Sequence, residues 1–185
     1  MKPLFSTDEL DRQVKRVLGL PRKEMFDALR DGLSAAYPGH IHRSEDWQIT
    51  HAGGAMGLVN IVHASFTEYL LLFGSPMATS GHSGRHPCEV HQYVLDGELW
   101  CYDEGEHDRR VVRPGEVTVL RPRVARGYCI PDHCWMLEYG RGTIPAMMPF
   151  ALAGSMFVSL DAKGLGRSLL SYGAIAAKEL LRGKL

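Results

Sequence analysis

Cys134-Trp135-Met136-Leu137-Glu138-Tyr139-Gly140-Arg141-Gly142 constrains the fold more than any other stretch of the chain. It reads as a strand, and alternation at period two places Met136, Glu138 and Gly140 on one face and Trp135, Leu137 and Tyr139 on the other. Both faces are apolar apart from the acid, so the strand is expected to be covered on both sides, with Glu138 pointing into a closed space. A carboxylate there must be paired, protonated or awaiting a cation, because an isolated buried charge costs several kcal/mol or more. Glu138 is therefore the first candidate for chemistry. The plainer alternative is an acid satisfied by backbone donors or by Arg141.

The remainder of the composition narrows the classes. At 185 residues the chain has the length of one domain with helical additions, enough to bury a sizeable core. Its 21 basic and 21 acidic residues cancel, which leaves no electrostatic footprint for nucleic acid. Cys88, Cys101, Cys129 and Cys134 form no C-x-x-C pair, which argues against a structural zinc site and fits a reducing compartment. Neither the opening Met1–Glu9 segment nor the run Tyr69–Phe73 has the length of a signal peptide core or a membrane span. A cytoplasmic or peripherally membrane-attached protein is expected.

Along the chain, Ser6-Thr7-Asp8-Glu9 starts a helix whose stripe is Leu10, Val14, Val17 and Leu18. A second helix is predicted from about Lys23 to Tyr37, with Met25, Phe26, Leu29, Leu33 and Ala36 on one side. The small residues of Gly53-Gly54-Ala55-Met56-Gly57 allow close backbone approach. Leu58 to Ser65, apolar nearly all round, reads as a buried helix, and Phe66 to Gly74 as a core strand. His63 reads as a hydrogen-bonded core histidine and Glu68 as a brace for backbone donors. Ser80 to Cys88 reads as a polar loop. Asp96-Gly97 between two strand-like runs is a strong hairpin signal, and further short strands follow around Val117–Leu120, Ala125–Ile130 and Cys134–Tyr139. Closely spaced strands with turns between them indicate an antiparallel barrel or sandwich. The organisation expected is one domain over residues 1–185: helices over 1–46, a helix and a barrel over 47–145, and C-terminal helices over 146–185.

The strand pattern resembles that of cupin-like barrels in outline, so His82, His86, Glu89 and His91 are weighed as metal ligands. Their spacing is irregular, and no histidine follows Pro114-Gly115 until His133. No metal is expected. A metal-dependent enzyme stays as a third reading, which metal analysis of the purified protein would decide.

Longer blocks carry a more specific resemblance: Tyr37-Pro38-Gly39-His40, Ala52 to Gly57, His63 to Gly74, Gly81-His82-Ser83-Gly84-Arg85, Pro114-Gly115-Glu116 and Trp135 to Pro145. In these the chain resembles the family that joins fungal sterol delta-8 to delta-7 isomerases with the animal sigma-one receptor. The resemblance implies a mainly β, α+β fold: a cupin-like antiparallel barrel around an apolar pocket, flanked by N-terminal helices and amphipathic C-terminal helices, with three protomers in a trimer. It implies a hydrophobic ligand, a sterol-like lipid or a cationic amphiphile, and no cofactor. Glu138 becomes the central acid and Glu89 a possible catalytic partner. Tyr69, Gln92, Val94, Trp135, Met136 and Tyr172 are expected, with Glu138, to bind the ligand, and His63 to orient it. Gln92 stands where the receptor has a second carboxylate, a departure that weakens receptor-like affinity for amines.

The resemblance also implies that the membrane-spanning helix of eukaryotic relatives is missing. Leu165, Leu169, Leu170, Tyr172, Ile175, Ala176, Leu180 and Leu181 interleave with Arg167, Lys178, Glu179 and Arg182, a pattern suited to a bilayer surface or to the barrel. The function expected is double-bond isomerisation, with non-catalytic binding of amines or lipids as the alternative.

Overall fold

The computed structural model describes residues 3–184; residues 1, 2 and 185 of the expected domain lie outside it. Helix α1 (Thr7–Val17) opens with Asp8 and Glu9 and closes with Lys15 and Arg16, charges that complement its dipole. Helix α2 (Arg22–Ala36) follows Pro21 and buries Met25, Phe26, Leu29 and Leu33. Both stripes pack with Leu70, Leu72, Tyr93, Leu95, Trp135, Leu137 and Tyr139 in the largest core cluster. The helices thus cover one face of a sheet.

Among the described residues ten strands follow: β1 (Gln48–Ala52), β2 (Ala55–Ala64), β3 (Glu68–Ser75), β4 (Thr79–His82), β5 (Glu89–Gly97), β6 (Leu99–Asp103), β7 (Arg110–Val112), β8 (Val117–Leu120), β9 (Arg126–Ile130) and β10 (Cys134–Arg141). They form a six-stranded sheet in the order β1-β2-β3-β10-β5-β8 and a four-stranded sheet in the order β4-β9-β6-β7. Every pairing is antiparallel. The mainly β architecture with flanking helices matches the expectation, with the barrel left open because no strand of one sheet pairs with a strand of the other. Val94, Leu99, Cys101, Val112, Ile130, Cys134 and Met136 fill one end of the space between the sheets.

Two sequence readings need correction. Leu58 to Ser65 is not a helix: residues 55–64 are β2, paired with β1 on one side and β3 on the other. A strand covered on both faces loses its polar alternation, and a register shift between Ile61 and His63 removes what period remained. The β-branched Val59, Ile61 and Val62 were the better guide. Gly53-Gly54 is the two-residue turn of the β1–β2 hairpin, with φ of +60° and +95° as a type I′ turn requires. In the stretch read as a polar loop, residues 80–82 belong to β4.

After β10 come a short 3-10 turn, α3 (Met148–Ala153), a π turn and α4 (Ala162–Leu181). Helix α4 buries Ile175 and Ala176 and docks through polar contacts as well: Ser168 Oγ donates to Gln48 Oε1 (2.6 Å), Tyr172 Oη to the Ser65 carbonyl (2.7 Å), and His40 Nδ1 meets the buried Glu179 at 2.6 Å. No helix among the described residues is long and apolar enough to cross a membrane.

Candidate functional site

Between the sheets, under α3 and α4, lies a cavity of about 220 Å³. Alternation explains its walls. Tyr69, Leu71 and Phe73 of β3 face it while Leu70 and Leu72 face the helices; Val90 and Gln92 of β5 do the same opposite Tyr93 and Leu95. Leu165, Ser168 and Tyr172 of α4 close it from above.

Glu138 is the one carboxylate among the pocket-lining residues. Its cross-strand partners are Leu71 and Gln92. Tyr69 Oη donates to Oε1 at 2.8 Å and Gln92 Nε2 donates to Oε2 at 3.0 Å. Burial raises its carboxyl above the ordinary glutamate value, and the two hydrogen bonds pull the other way without cancelling it. The Tyr69 phenol is pushed well up, first by burial and then by Glu138, so it stays a donor.

Two Glu-Tyr dipeptides on neighbouring strands build this arrangement twice. Glu68-Tyr69 of β3 and Glu138-Tyr139 of β10 cross: Tyr69 reaches Glu138 on the pocket face, and Tyr139 Oη donates to Glu68 Oε1 at 2.6 Å on the other. Glu68 is 2% exposed and also accepts from the Leu4 amide (2.9 Å to Oε2) and from Lys184. Burial pushes the Glu68 carboxyl up, but Lys184, Tyr139 and the Leu4 amide outweigh it and leave it below the ordinary value. Among the described residues no cation does this for Glu138.

Gly140 makes room for the Tyr69 ring, because a Cβ there would lie 2.0 Å from Tyr69 Cε1. Gly140→Ala is expected to displace the ring from Glu138, weakening ligand binding at least ~10-fold, since ångström misplacements at a site are costly. Overpacking should also destabilise the fold by about 1–3 kcal/mol. Ligand titration and thermal melts of the variant check both, and a variant that binds and melts like the parent overturns the role given to Gly140.

The other expected site residues divide by face. Tyr69, Gln92, Glu138 and Tyr172 meet at the cavity. Glu89 does not: an odd number of residues from Gln92, it points to the opposite face, where Oε1 meets His91 Nε2 (2.7 Å) and Arg141 (2.6 Å). Trp135 likewise packs against Phe26 and Trp47, with Arg22 5.3 Å over its ring. Met136 and Val94 have the right parity but sit in the filled end, away from the cavity wall. His63 is wholly buried, its Nδ1 on the His40 carbonyl at 2.9 Å, outside the pocket. Of the histidines weighed as ligands, His82 and His86 line the pocket whereas His91 faces away beside Glu89, and among the described residues no group of three or more His, Cys, Asp or Glu could hold a metal.

Sequence reading missed the opposite wall. Arg126, 2% exposed, lines the pocket with its guanidinium spent on Asp103 (2.6 and 3.2 Å), Thr118 (3.0 Å) and the Val119 carbonyl (2.9 Å). Tyr128 and Leu120 line it too, and Phe150 reaches in from α3. Alternation along β9 couples Arg126 to Tyr128 and was the available signal for that pair.

The chain is similar to several known proteins. A sequence profile of the family described as "ERG2 and Sigma1 receptor like protein" matches residues 2–184. The "C-8 sterol isomerase ERG2" of Gibberella zeae is 36% identical over 185 residues, covering 98% of this chain and 79% of its own. "Sigma non-opioid intracellular receptor 1" of Danio rerio is 37% identical over 160 residues, covering 85% and 72%. Among solved structures, an RmlC-like cupin from Shewanella frigidimarina aligns with a TM-score of 0.46 at 17% identity, over 55% of this chain and 89% of that one.

Proposed function

We propose, from the premise that this chain belongs to the family of ERG2 and Sigma1 receptor like proteins, that it moves a carbon–carbon double bond within a sterol or related polycyclic lipid. The observation that carries this reading is Glu138, a carboxyl with a raised pKa, held by two neutral donors, alone of its kind on an otherwise largely apolar cavity wall.

The chemistry needs a proton moved and nothing oxidised or reduced. For a delta-8 to delta-7 shift, protonated Glu138 delivers a proton to C9, leaving a cation at C8. Loss of a proton from C7 then forms the C7–C8 double bond. The carboxylate left after the first step faces the cation in a place with little water, where opposite charges attract strongly. Tyr69 and Gln92 hold both oxygens, so the anion is received without rearrangement, and the raised pKa favours the protonated form that donates. The same carboxylate can take the C7 proton, so one acid serves both half-steps.

Incubating the protein with a delta-8 sterol in deuterated water tests the proposal. The expected result is delta-7 product carrying one added deuterium, read by mass spectrometry. A preparation that makes no such product yet binds a cationic amphiphile would favour the second reading, a non-catalytic binder, which the lone anion in an apolar pocket also supports.

Peripheral membrane attachment is part of the proposal. Phe157 (72% exposed), Val158, Leu160 and Leu170 present apolar side chains on and between the helices that roof the cavity. That placement suits a bilayer supplying a lipid ligand directly to the pocket.

A further inference from the structure

Glu138, Tyr69 and Gln92 satisfy one another. The end of β4 and the segment joining it to β5 put three more polar residues on the cavity: His82, Ser83 and His86. Two of them are used locally. His82 Nδ1 accepts from the Gly84 amide (2.8 Å), while Ser83 Oγ donates to the Gly84 carbonyl (2.9 Å) and accepts from the Arg126 amide (2.9 Å). His86 differs. It is 6% exposed, and its Nδ1 is buried with no partner at hydrogen-bond geometry, although the Cys88 backbone lies close enough to favour the protonated ring. A buried polar group left unpaired costs about 1–3 kcal/mol, so a protein keeping one on a ligand-cavity wall gains where a ligand supplies the missing bond.

We propose that His86 is the hydrogen-bond partner of a hydroxyl group on the ligand and fixes the ligand's register against Glu138; this rests on the reading of the ligand as a polycyclic lipid. The ring's chemistry selects the class. Burial outweighs the opposing pull of the Cys88 backbone and holds the imidazole below its ordinary pKa, so it stays neutral, with one donor and one acceptor nitrogen. A hydroxyl, also donor and acceptor, complements it. A ligand ammonium is drawn instead to Glu138, the carboxylate of the wall. A lipid with one hydroxyl and an apolar body would therefore lie in one orientation, which places the same carbons at Glu138 each time.

The test reads binding, so it does not depend on turnover. A 3-hydroxy delta-8 sterol and its 3-deoxy counterpart, each in mixed micelles, compete against a labelled cationic amphiphile on the parent protein, His86→Phe and His86→Gln. The parent is expected to prefer the hydroxylated lipid roughly tenfold, as a site built to bond a hydroxyl rejects its absence. His86→Phe should bind both alike, and His86→Gln, which keeps a donor and an acceptor, should retain part of the preference. On the parent, the imidazole nitrogen resonances of His86 should move with the hydroxylated lipid and not with the deoxy one, a signature that a packing role would not give. Equal binding of both lipids by the parent, or a preference that survives His86→Phe, overturns the role of His86 and leaves the lipid reading standing. If neither lipid displaces the amphiphile, the lipid reading fails and takes this inference with it.

Discussion

Glu138→Gln should reduce isomerisation at least ~10³-fold while the protein folds and melts as before. The substitution removes the only acid that faces the cavity among the described residues. A general acid contributes about 10²–10⁴-fold, and the same change removes the anion that faces the developing cation. The fold should tolerate it because the shape is kept. A glutamine carbonyl still accepts from Tyr69, and turning the Gln92 amide presents an oxygen to the new NH2 group. Binding of cationic amphiphiles should fall with turnover, since both use the one charge. Turnover assays beside calorimetric melts decide the matter: activity within tenfold of the parent would remove Glu138 from the mechanism.

Glu68→Ala should do the reverse, lowering stability severely wherever the site itself is spared. It strands the Tyr139 hydroxyl, the Leu4 amide and the Lys184 ammonium, whose side chain is 12% exposed. Breaking a buried pair on one side costs about 3–5 kcal/mol, or roughly 6–20 °C in Tm for a domain of this size. Because the same carboxylate ties Leu4 and Lys184 to β3, hydrogen exchange should quicken at both ends of the chain. A melting point within two degrees of the parent would show that the cluster contributes no net stability.

Much of this contrast was legible in the sequence. A carboxylate inside a two-sided apolar run can hardly be anything but buried, which is why Glu138 was found, and parity on β10 put Gly140 on its face. Parity also held the answer for Glu89 and Trp135, each an odd step from a pocket residue, but a resemblance carried whole strands to the site without asking which way each side chain points. The second strand was lost to its own burial, as Val59, Ile61 and Val62 give no polar face to read. Phe150, Tyr128 and His86 come from a helix, the second sheet and a loop, and only the tertiary fold gathers such segments at one cavity.

The crossed dipeptides give the molecule two carboxyls, each followed by a tyrosine, whose pKa values are shifted in opposite directions. Glu68, lowered, contributes stability that is present above the ordinary glutamate value of about 4.3 and is lost as pH falls through its own folded value. Glu138, raised, contributes stability that is full below that ordinary value and is lost as pH rises through its folded value, where the buried carboxyl must ionise. Between them the pair places its stability maximum in weakly acidic solution, and the alkaline side of that maximum is the range in which the ionised form of the pocket acid accumulates.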